Sequence, residues 1–179
     1  MTDDLLRIRP MALDDCDRVS EIRVRGWQYA YRGLMPQPFL DGLSVERDAV
    51  RRRARFRDGE DGVTDLVAER HGEVVGWAAH GPYRDGEVRT SDAELYAIYL
   101  DPAHVGTGAG RLLLEAVLGQ CARYARVYLW VLKGNTRARR FYETAGFRPD
   151  GAEEPYEVDG VPVPEVRYVR SRGLTSASG

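Results

Sequence analysis

Residues 94–118 read ELYAIYLDPAHVGTGAGRLLLEAVL, and this stretch decides the fold. An apolar run up to Leu100 ends at Asp101-Pro102, and a loop with glycines at positions 106, 108 and 110 follows. An apolar-periodic segment comes next, so the order predicts a strand, a glycine-rich loop and a helix over residues 107–122. Such a junction turns unpaired backbone N–H groups and the positive end of a helix dipole toward one place. The stretch therefore predicts an anion-binding site.

Length and composition indicate one globular domain. The chain has 179 residues, of which 43% are hydrophobic and 30% charged, and its formal net charge is -2. One full core can form at this length, and a slightly negative domain has no general attraction for nucleic acid or anionic lipid. No stretch approaches the roughly 20 apolar residues of a membrane helix, and the first residues do not resemble a secretory signal. We expect a cytoplasmic protein without a nucleic-acid or membrane partner.

The cysteines and histidines predict neither a disulfide framework nor a metal centre. Cys16 and Cys121 fall in predicted helices, where they are expected to be reduced and buried. The histidines at 71, 80 and 104 lack the spacing of metal ligands. We expect His80 and His104 in turns or at the surface, and no bound metal.

Strand and helix patterns alternate along the rest of the chain. Helices are predicted from residue 14, after the cap Ser44 and after the cap Asn135, and a tight hairpin is predicted at His71-Gly72. The aromatic segment 29–43 predicts a short helix or an ordered loop. The arginine run over 51–57 is expected to form a solvated helix face, because aromatic interleaving and a basic domain charge are missing.

The strand that precedes the glycine loop is apolar on both faces. A polar turn is predicted over residues 84–92, with the strand starting at Glu94. Strict alternation places Tyr96 and Ile98 on one face, and Leu95, Ala97 and Tyr99 on the other, which predicts a central position in a sheet. Further strands are predicted over 127–132 and 163–169. The expected domain spans residues 1–170, followed by a disordered tail over 171–179.

The spacing of the glycine loop excludes two familiar phosphate-binding motifs. A Walker loop requires glycine and lysine where this chain has Arg111 and Leu112. A dinucleotide fingerprint that begins at Gly106 requires its third glycine at position 111, where this chain again has Arg111. Taken alone, the glycines leave two interpretations open: a phosphate-bearing ligand lies against the loop, or the glycines only allow close packing of strand and helix.

A second motif follows the strand over 127–132, where residues 133–147 read KGNTRARRFYETAGF. Together with the first stretch it resembles the GCN5-related N-acetyltransferase (GNAT) superfamily, over about residues 7–169. The resemblance implies a single α+β or α/β domain. Its mixed, mostly antiparallel sheet would have about seven strands, flanked by about four helices and splayed between strands 4 and 5. It also implies an acyltransferase with acetyl-CoA as co-substrate in the V-shaped opening.

The resemblance assigns the cofactor-binding residues one by one. The backbone of residues 98–100 would pair with the pantetheine arm, the N–H groups of residues 105–110 would hold the pyrophosphate, and Tyr142 would reach the sulfur. The expected set is Ile98, Tyr99, Leu100, Val105, Gly106, Thr107, Gly108, Ala109, Gly110, Arg111, Asn135, Ala138 and Tyr142. The family usually has Gln or Arg at the position of Val105, and Arg111 is a candidate substitute for that charge.

Acetyl transfer to an amine requires a base for the amine proton, a donor to the thioester oxygen and an acid for the leaving thiolate. Histone acetyltransferases of the superfamily carry their base at the position of Glu94; the alternative is a strand-edge glutamate facing solvent. Tyr142 is the candidate acid, since a phenol has a pKa of about 10; the alternative is an aromatic core residue. The oxyanion donor is expected at a strand bulge near Tyr99.

The acceptor pocket is expected to be lined by aromatic residues, namely Trp27, Tyr31, Tyr83 and Tyr96. Ordinary core packing is an equal alternative for them. An aromatic, partly acidic pocket would suit a small-molecule or peptide amine. Late strands of the superfamily often build dimers, so the resemblance also implies a homodimer as one assembly. The competing hypothesis is a non-catalytic acyl-CoA-binding sensor or regulatory domain on the same fold; the loop spacing disfavours a nucleotide-binding one.

Overall fold

A seven-stranded sheet forms the centre of the fold. The computed structural model describes residues 6–59, 62–85 and 88–173. Within these ranges the strand order is β1-β2-β3-β4-β5-β7-β6. The strands are β1 (Arg7–Pro10), β2 (Thr64–Arg70), β3 (Glu73–Asp85), β4 (Val88–Leu100), β5 (Arg126–Leu132), β6 (Arg148–Val158) and β7 (Val161–Ser171). Residues 174–179, most of the expected tail, lie outside the described ranges.

Five α-helices flank the sheet in the described ranges. They are α1 (Cys16–Ala30), α2 (Gln37–Asp41), α3 (Val45–Asp58), α4 (Ala109–Gln120) and α5 (Thr136–Thr144), with 3-10 turns at Leu13–Asp15 and Pro102–His104. The helix beyond the predicted four is α2, which forms part of the aromatic segment 29–43. Among the described residues, none of these helices has the length and apolar character to cross a membrane.

The sheet separates between β4 and β5. These two strands are parallel, and the described parallel pairs are Ala93 with Val127 and Glu94 with Tyr128. The other neighbouring strands pair antiparallel. Beyond Glu94, β4 and β5 diverge, so a V-shaped opening lies between their carboxyl ends. The predicted mixed, mostly antiparallel sheet with a splay between strands 4 and 5 is confirmed.

Helices cover both faces of the sheet. On one face, α4 packs Leu113, Leu114 and Val117 against the strands, and each is at most 2% exposed. On the other face, α1 buries Val19 and Ile22 against β2 and β3. Full burial of such a side chain contributes about 1.5–3 kcal/mol. The apolar periodicity that the sequence shows over α4 therefore marks the side of this helix that packs against the sheet.

A third apolar cluster lies beside the opening. It joins the end of α1, the segment before α2 and α2 itself to β5, β6 and β7, and its buried members are Trp27, Met35, Leu40, Leu132, Val158 and Val163. The cluster anchors the segment 29–43 over the carboxyl end of β5. That segment is therefore ordered, as its aromatic and apolar content predicted.

The polar turn predicted over residues 84–92 is wrong. β3 continues to Asp85 and β4 begins at Val88. The first residues of β4 pair only with β3, because pairing with β5 starts at Ala93. This arm of the hairpin needs no apolar side chains, so its polar sequence did not indicate a strand. Glu94 therefore lies inside β4 and not at its start.

β4 contains a bulge. Ala79 of β3 pairs with Ala97, whereas the next residue, His80, pairs with Leu95. Tyr96 is therefore the extra residue of the bulged strand. A bulge adds one residue to a strand and changes which side chains share a face. The bulge expected near Tyr99 lies three positions earlier.

The bulge overturns the predicted faces of β4. Tyr96, Ala97 and Tyr99 all pack with the cluster on the α1 side of the sheet. Ile98 and Leu100 pack with the cluster on the α4 side. Strict alternation had paired Tyr96 with Ile98, and the bulge breaks that alternation. As a result, Tyr96 and Tyr99 lie on the same face of the sheet, the one that α1 covers.

The helix caps and the first hairpin are as predicted. Ser44 Oγ accepts the Arg47 N–H at 3.2 Å, and Asn135 Oδ1 accepts the Ala138 N–H at 3.2 Å. His71 and Gly72 have φ values of 52° and 81°, which suits a tight two-residue turn. Side-chain capping satisfies N–H groups that the first helical turn leaves free.

The cysteines are as predicted, whereas two predictions about polar side chains, at His80 and Arg52, are wrong. Cys16 and Cys121 are buried free thiols, as expected. His80 is buried, however, and its Nε2 atom lies 2.7 Å from Gln120 Oε1. Arg52, in the run over 51–57, is 3% exposed and lies over the Trp77 ring, with its guanidinium carbon 4.2 Å from the ring centroid. That part of α3 is therefore packed against the sheet and not solvated.

Candidate active site

A cavity of about 710 Å³ occupies the V-shaped opening. The end of α1, the second half of β4, the loop before α4, the start of α5 and the middle of β7 all contribute to its walls. The predicted site residues in its lining are Trp27, Tyr31, Glu94, Tyr96, Ile98, Tyr99, Leu100, Val105, Gly106, Gly108, Gly110, Arg111, Asn135, Ala138 and Tyr142. Thr107, Ala109 and Tyr83 do not line it.

The amino end of α4 faces this cavity. Gly106 and Gly108 have φ values of 83° and 91°, a backbone region that favours glycine. A Cβ atom at either position would meet no atom within 4 Å, so the space beside them is open. Leu112 makes the first bond of the helix, from its N–H to the Gly108 oxygen at 3.1 Å. The preceding N–H groups of the first turn are therefore available to an anion.

Two of the predicted N–H donors are used inside the loop. The Val105 N–H donates to the Pro102 oxygen at 3.4 Å, and the Thr107 N–H to the His104 oxygen at 3.3 Å. The Arg111 side chain is largely exposed and forms a surface pair with Glu115, at 2.7 Å. The first turn of α4, residues 109–111, is thus better placed to hold a phosphate than Val105 or Thr107.

The edge of β4 that faces the opening is available beyond Glu94. Among the described residues, β5 pairs with β4 only at residues 93 and 94, so the V-facing backbone groups of residues 95–100 lack a strand partner there. Asn135 and Ala138 line the opposite wall. The Asn135 oxygen caps α5, which leaves its amide N–H₂ group as a donor. An extended ligand could therefore lie between this edge and α5.

Three tyrosines meet inside the cavity. The Tyr31 and Tyr99 hydroxyl oxygens lie 2.9 Å apart, and Tyr142 approaches from α5 on the other side of the opening. Burial raises the pKa of all three phenols above the ordinary value, and the neighbouring Tyr99 adds to the rise at Tyr31 and Tyr142. The hydroxyl groups therefore stay protonated at neutral pH and can act as hydrogen-bond or proton donors.

Glu94 lies at the closed end of the opening. Its Oε2 atom accepts the backbone N–H of Arg84 at 3.2 Å. Burial raises the pKa of the Glu94 carboxyl above its ordinary value, and the nearby Arg84 offsets part of that rise. A carboxylate with a raised pKa is a stronger base, which is the property that a proton acceptor at this position needs.

The aromatic residues predicted for the acceptor pocket divide into two groups. Trp27 and Tyr31 line the cavity and contact each other edge to face, with ring centroids 5.1 Å apart. Tyr96 also lines it, and its hydroxyl donates to the Pro82 oxygen. Tyr83 does not line the cavity; its ring lies against Tyr128, with the centroids 4.5 Å apart and the ring planes tilted by 35°. The two tyrosines lie on β3 and β5, the strands on either side of β4, and sequence spacing could not indicate that their rings meet.

Glu165 of β7 is a lining residue that sequence reasoning missed. It pairs with Leu132 of β5 and lies at the open end of the V. Burial, with the negative charges of Glu154 and Glu94, raises the pKa of Glu165 to about 7. A lone acidic residue in the strand predicted over 163–169 was the only signal. Trp130 and Tyr156 also line the cavity without having been predicted.

Family comparison agrees with this geometry. The model of the Acetyltransferase (GNAT) family matches residues 27–147. The chain belongs to the GNAT family. The match includes the end of α1, the hairpin of β3 and β4, the glycine loop and α5, which are the elements around the cavity. As a GNAT enzyme, the chain is an acyltransferase that uses acetyl-CoA as co-substrate.

Individual relatives and structures support this membership. An uncharacterised N-acetyltransferase of Mycobacterium bovis is 40% identical over 142 residues, which cover 78% of this chain and 86% of that protein. A ribosomal-protein-alanine N-acetyltransferase from Brucella melitensis superposes with a TM-score of 0.72 at 23% identity, over 93% of this chain and 100% of that one. The PaiA N-acetyltransferase from Thermoplasma acidophilum, in complex with coenzyme A, gives 0.69 at 17% identity, over 94% and 99%. Both structures show that the GNAT fold is shared.

Proposed function

We propose that this GNAT enzyme transfers the acetyl group of acetyl-CoA directly to a primary amine of a small molecule or a peptide. Glu94 is the general base and Tyr142 the general acid. The observation that carries the proposal is that both side chains line one cavity, whose other walls are the amino end of α4 and the open edge of β4. A donor, a base and an acid can therefore meet without a covalent enzyme intermediate.

The acetyl donor lies between β4 and α5. Its pyrophosphate takes the N–H groups of the first turn of α4, and its pantetheine arm follows the V-facing edge of residues 98–100. Support comes from the positive φ of Gly106 and Gly108, and from the open space beside them. A side chain at either glycine would both strain the loop and enter that space.

Glu94 removes the first proton of the acceptor ammonium group, directly or through a water molecule. The neutral amine then attacks the thioester carbon, and a backbone N–H of β4 beyond Glu94 donates to the carbonyl oxygen as negative charge develops there. Support comes from the burial of Glu94, which raises its pKa and so strengthens it as a base. Its position at the last parallel pair holds the carboxylate where the opening begins.

Tyr142 donates its hydroxyl proton to the sulfur when the carbon–sulfur bond breaks. The tyrosinate then takes up the second proton, which the newly acylated nitrogen loses, so the phenol is restored. The raised pKa of Tyr142 makes it a weak acid, but the same burial disfavours a thiolate at that place. Proton transfer between two desolvated groups therefore remains feasible.

The acceptor enters from the side of α1, beside Trp27, Tyr31 and Tyr96. The structural neighbour from Brucella melitensis is named for a ribosomal-protein alanine, so an N-terminal α-amine is one acceptor class to test. Small primary amines are the other class. The competing hypothesis of a non-catalytic acyl-CoA sensor does not require Glu94 and Tyr142 to share one cavity.

A thiol-release assay tests the proposal. The purified chain is mixed with acetyl-CoA and a panel of small amines and peptides, and released coenzyme A and acetylated product are measured by a thiol reagent and by mass spectrometry. Amine-dependent thiol release, with one acetylated product per thiol, is expected. Tight binding of acetyl-CoA without turnover on any amine would instead favour the sensor.

A further inference from the structure

We propose that Glu165 determines acceptor specificity by binding a second cationic group of the acceptor, at a distance from the amine that is acetylated. The inference rests on the proposed acetyl transfer and adds the substrate class, which is an amine that carries a further positive charge. Diamines, guanidino-amines and peptides with a basic residue near the N-terminus share this chemistry.

The strand register places two carboxylates at opposite ends of one cavity. Glu94 is level with Tyr128 at the closed end, and Glu165 is level with Leu132 at the open end. These two levels are four positions apart along β5, which is about 13 Å at about 3.3 Å per residue. One carboxylate can therefore act on the reacting amine while the other contacts a remote part of the same acceptor.

Among the described residues, no lysine or arginine side chain pairs with Glu165; Arg111 and Arg137 also line the cavity, but they pair with Glu115 and with the Tyr29 hydroxyl. The titratable neighbours of Glu165 are Glu154 on β6, Glu94 on β4 and Tyr31 at the end of α1. The cations closest in sequence are paired elsewhere: Arg167 Nε donates to Asp150 Oδ2 at 2.7 Å, and Lys133 Nζ lies 2.6 Å from Glu153 Oε1. Glu165 is half-buried, and a carboxylate that has lost part of its hydration is stabilised by a cationic partner. The described side chains provide no cationic partner for Glu165, and a cation on the acceptor would supply one.

Aromatic rings surround the same part of the cavity. Trp27 and Tyr156 lie with ring centroids 6.2 Å apart, and both line the cavity with Glu165. Trp27 is 8% exposed and already has one cationic neighbour, since the Arg23 guanidinium carbon lies 4.6 Å from its ring centroid, whereas Tyr156 is 38% exposed. Aromatic faces attract a desolvated cation, and an adjacent carboxylate adds a direct ion pair. This combination favours an organic cation over an anionic or apolar group.

The binding should depend on pH in a defined direction. Burial and the two neighbouring carboxylates raise the pKa of Glu165 to about 7. Glu165 is therefore mostly neutral at pH 6 and mostly ionised at pH 8. Selectivity for the second cation should increase through neutral pH, whereas the binding of acetyl-CoA should not follow this change.

Two amines of similar length separate the charge effect from the chemistry. Agmatine has a primary amine and a guanidinium group that stays charged, whereas pentylamine lacks the second charge. For the wild type at pH 8 we expect kcat/KM for agmatine to exceed that for pentylamine by roughly tenfold to a hundredfold, the usual effect of a hydrogen bond to a charged group. At pH 6 the ratio should shrink several-fold.

Glu165→Gln tests the residue itself. The KM for agmatine should rise by roughly tenfold to a hundredfold, with kcat, the KM for acetyl-CoA and the constants for pentylamine near wild type. Glu165→Asp keeps the charge and should keep a measurable preference for agmatine. This second variant shows whether loss of preference follows loss of charge or a change in folding.

Glu154→Gln is the matched control. Glu154 pairs with Glu165 across β6 and β7, but it is exposed and does not line the cavity. Removing its charge should lower the pKa of Glu165. The pH at which agmatine selectivity appears should then move downward, with selectivity at pH 8 unchanged.

Three outcomes would overturn the inference. They are a wild type that uses both amines equally at pH 8, a Glu165→Gln enzyme with an unchanged KM for agmatine, and a variant that loses kcat for both amines, which would make Glu165 a base. Absence of thiol release with every amine in the wild type would instead overturn the proposed acetyl transfer. Turnover of pentylamine without charge selectivity would leave the acetyl transfer intact and reject only the role of Glu165.

Discussion

Glu94 of β4 pairs with Tyr128 of β5, and this is the last parallel pair before the two strands separate. The pair fixes the backbone of Glu94 between β3 and β5, because β3 also pairs at this position, through Gly81. The side chain is thus held at the base of the opening by strands on both sides. A rigid position of this kind suits a group that must meet a substrate proton at a set distance.

Replacing Glu94 by Gln should lower kcat by roughly a hundredfold or more, the usual contribution of a general base. Burial raises the pKa of Glu94, and the base acts in its ionised form, so wild-type activity should increase as pH rises through that pKa. The variant should lack this increase, with KM for acetyl-CoA near wild type. Rate measurements from pH 5 to 9 check this, with Glu157→Gln on exposed β6 as control. An unchanged pH profile would remove Glu94 from the mechanism.

Replacing Tyr142 by Phe should slow the chemical step by roughly tenfold to a hundredfold, because the acid that protonates the thiolate is lost. The ring should stay packed, since its contacts with Phe141 and Phe147, at 5.4 and 6.0 Å between centroids, do not need the hydroxyl. Single-turnover kinetics and a melting curve give both quantities. Tyr124→Phe, which removes a surface hydroxyl, is the control. A strong loss of stability would favour the core interpretation of Tyr142.

Replacing Gly108 by Ala should raise the KM for acetyl-CoA and reduce stability by about 1–2 kcal/mol, the cost of a left-handed conformation for an L-residue. The φ of Gly108 is 91°, and the position begins the helix whose first N–H groups face the cavity. Gly72→Ala is a control with matched strain, since Gly72 has a φ of 81° and open space around it. It should lose similar stability with no change in KM. Equal KM values for both variants would argue against a phosphate at α4.

Glu165 should make stability depend on pH. Its pKa is raised from the ordinary 4.5 to about 7, so between these values the folded state holds a proton that the unfolded state has lost. The free energy of unfolding should therefore fall as pH rises from about 4.5 to 7 and stay lower above it.

Glu165→Gln should remove that fall. At pH 8 the variant should be more stable than the wild type by about 1–2 kcal/mol, a value reduced for the partial solvent exposure of the side chain. The melting temperature should increase by roughly 2–4 °C per kcal/mol. Near pH 4 the two proteins should melt alike. Denaturant unfolding at both pH values checks this, and a variant less stable at pH 8 would contradict the unpaired state of Glu165.

Local sequence information predicted the helix caps and the conformation of the glycine loop well. Asn135 and Ser44 are caps because short polar side chains can accept a backbone N–H at a helix start. The glycines at 106 and 108 were recognisable because the positive φ found there is costly for other residues. The splay between strands 4 and 5 came from the resemblance of two motifs to a family, and not from periodicity.

The acceptor half depended on contacts between distant parts of the chain. The sequence predicted Tyr83 and Tyr31 equally as residues of the acceptor pocket. Of these two, Tyr31 lines the cavity, whereas strand register directs Tyr83 to Tyr128. Glu165 enters the site because β7 pairs with β5 more than 30 residues away, and nothing local marks it. The bulge at Tyr96 also altered which side chains of β4 share a face.

The sequence by itself determined the strand, loop and helix around Gly106 and Gly108, because backbone conformation and helix capping depend on neighbouring residues. Only the tertiary structure decided that Glu94 lies inside β4 at the last parallel pair, and that Glu165 shares its cavity. Pairing register and burial are properties of the assembled sheet. They set the position and the pKa of both carboxylates, and no short stretch of sequence contains that information.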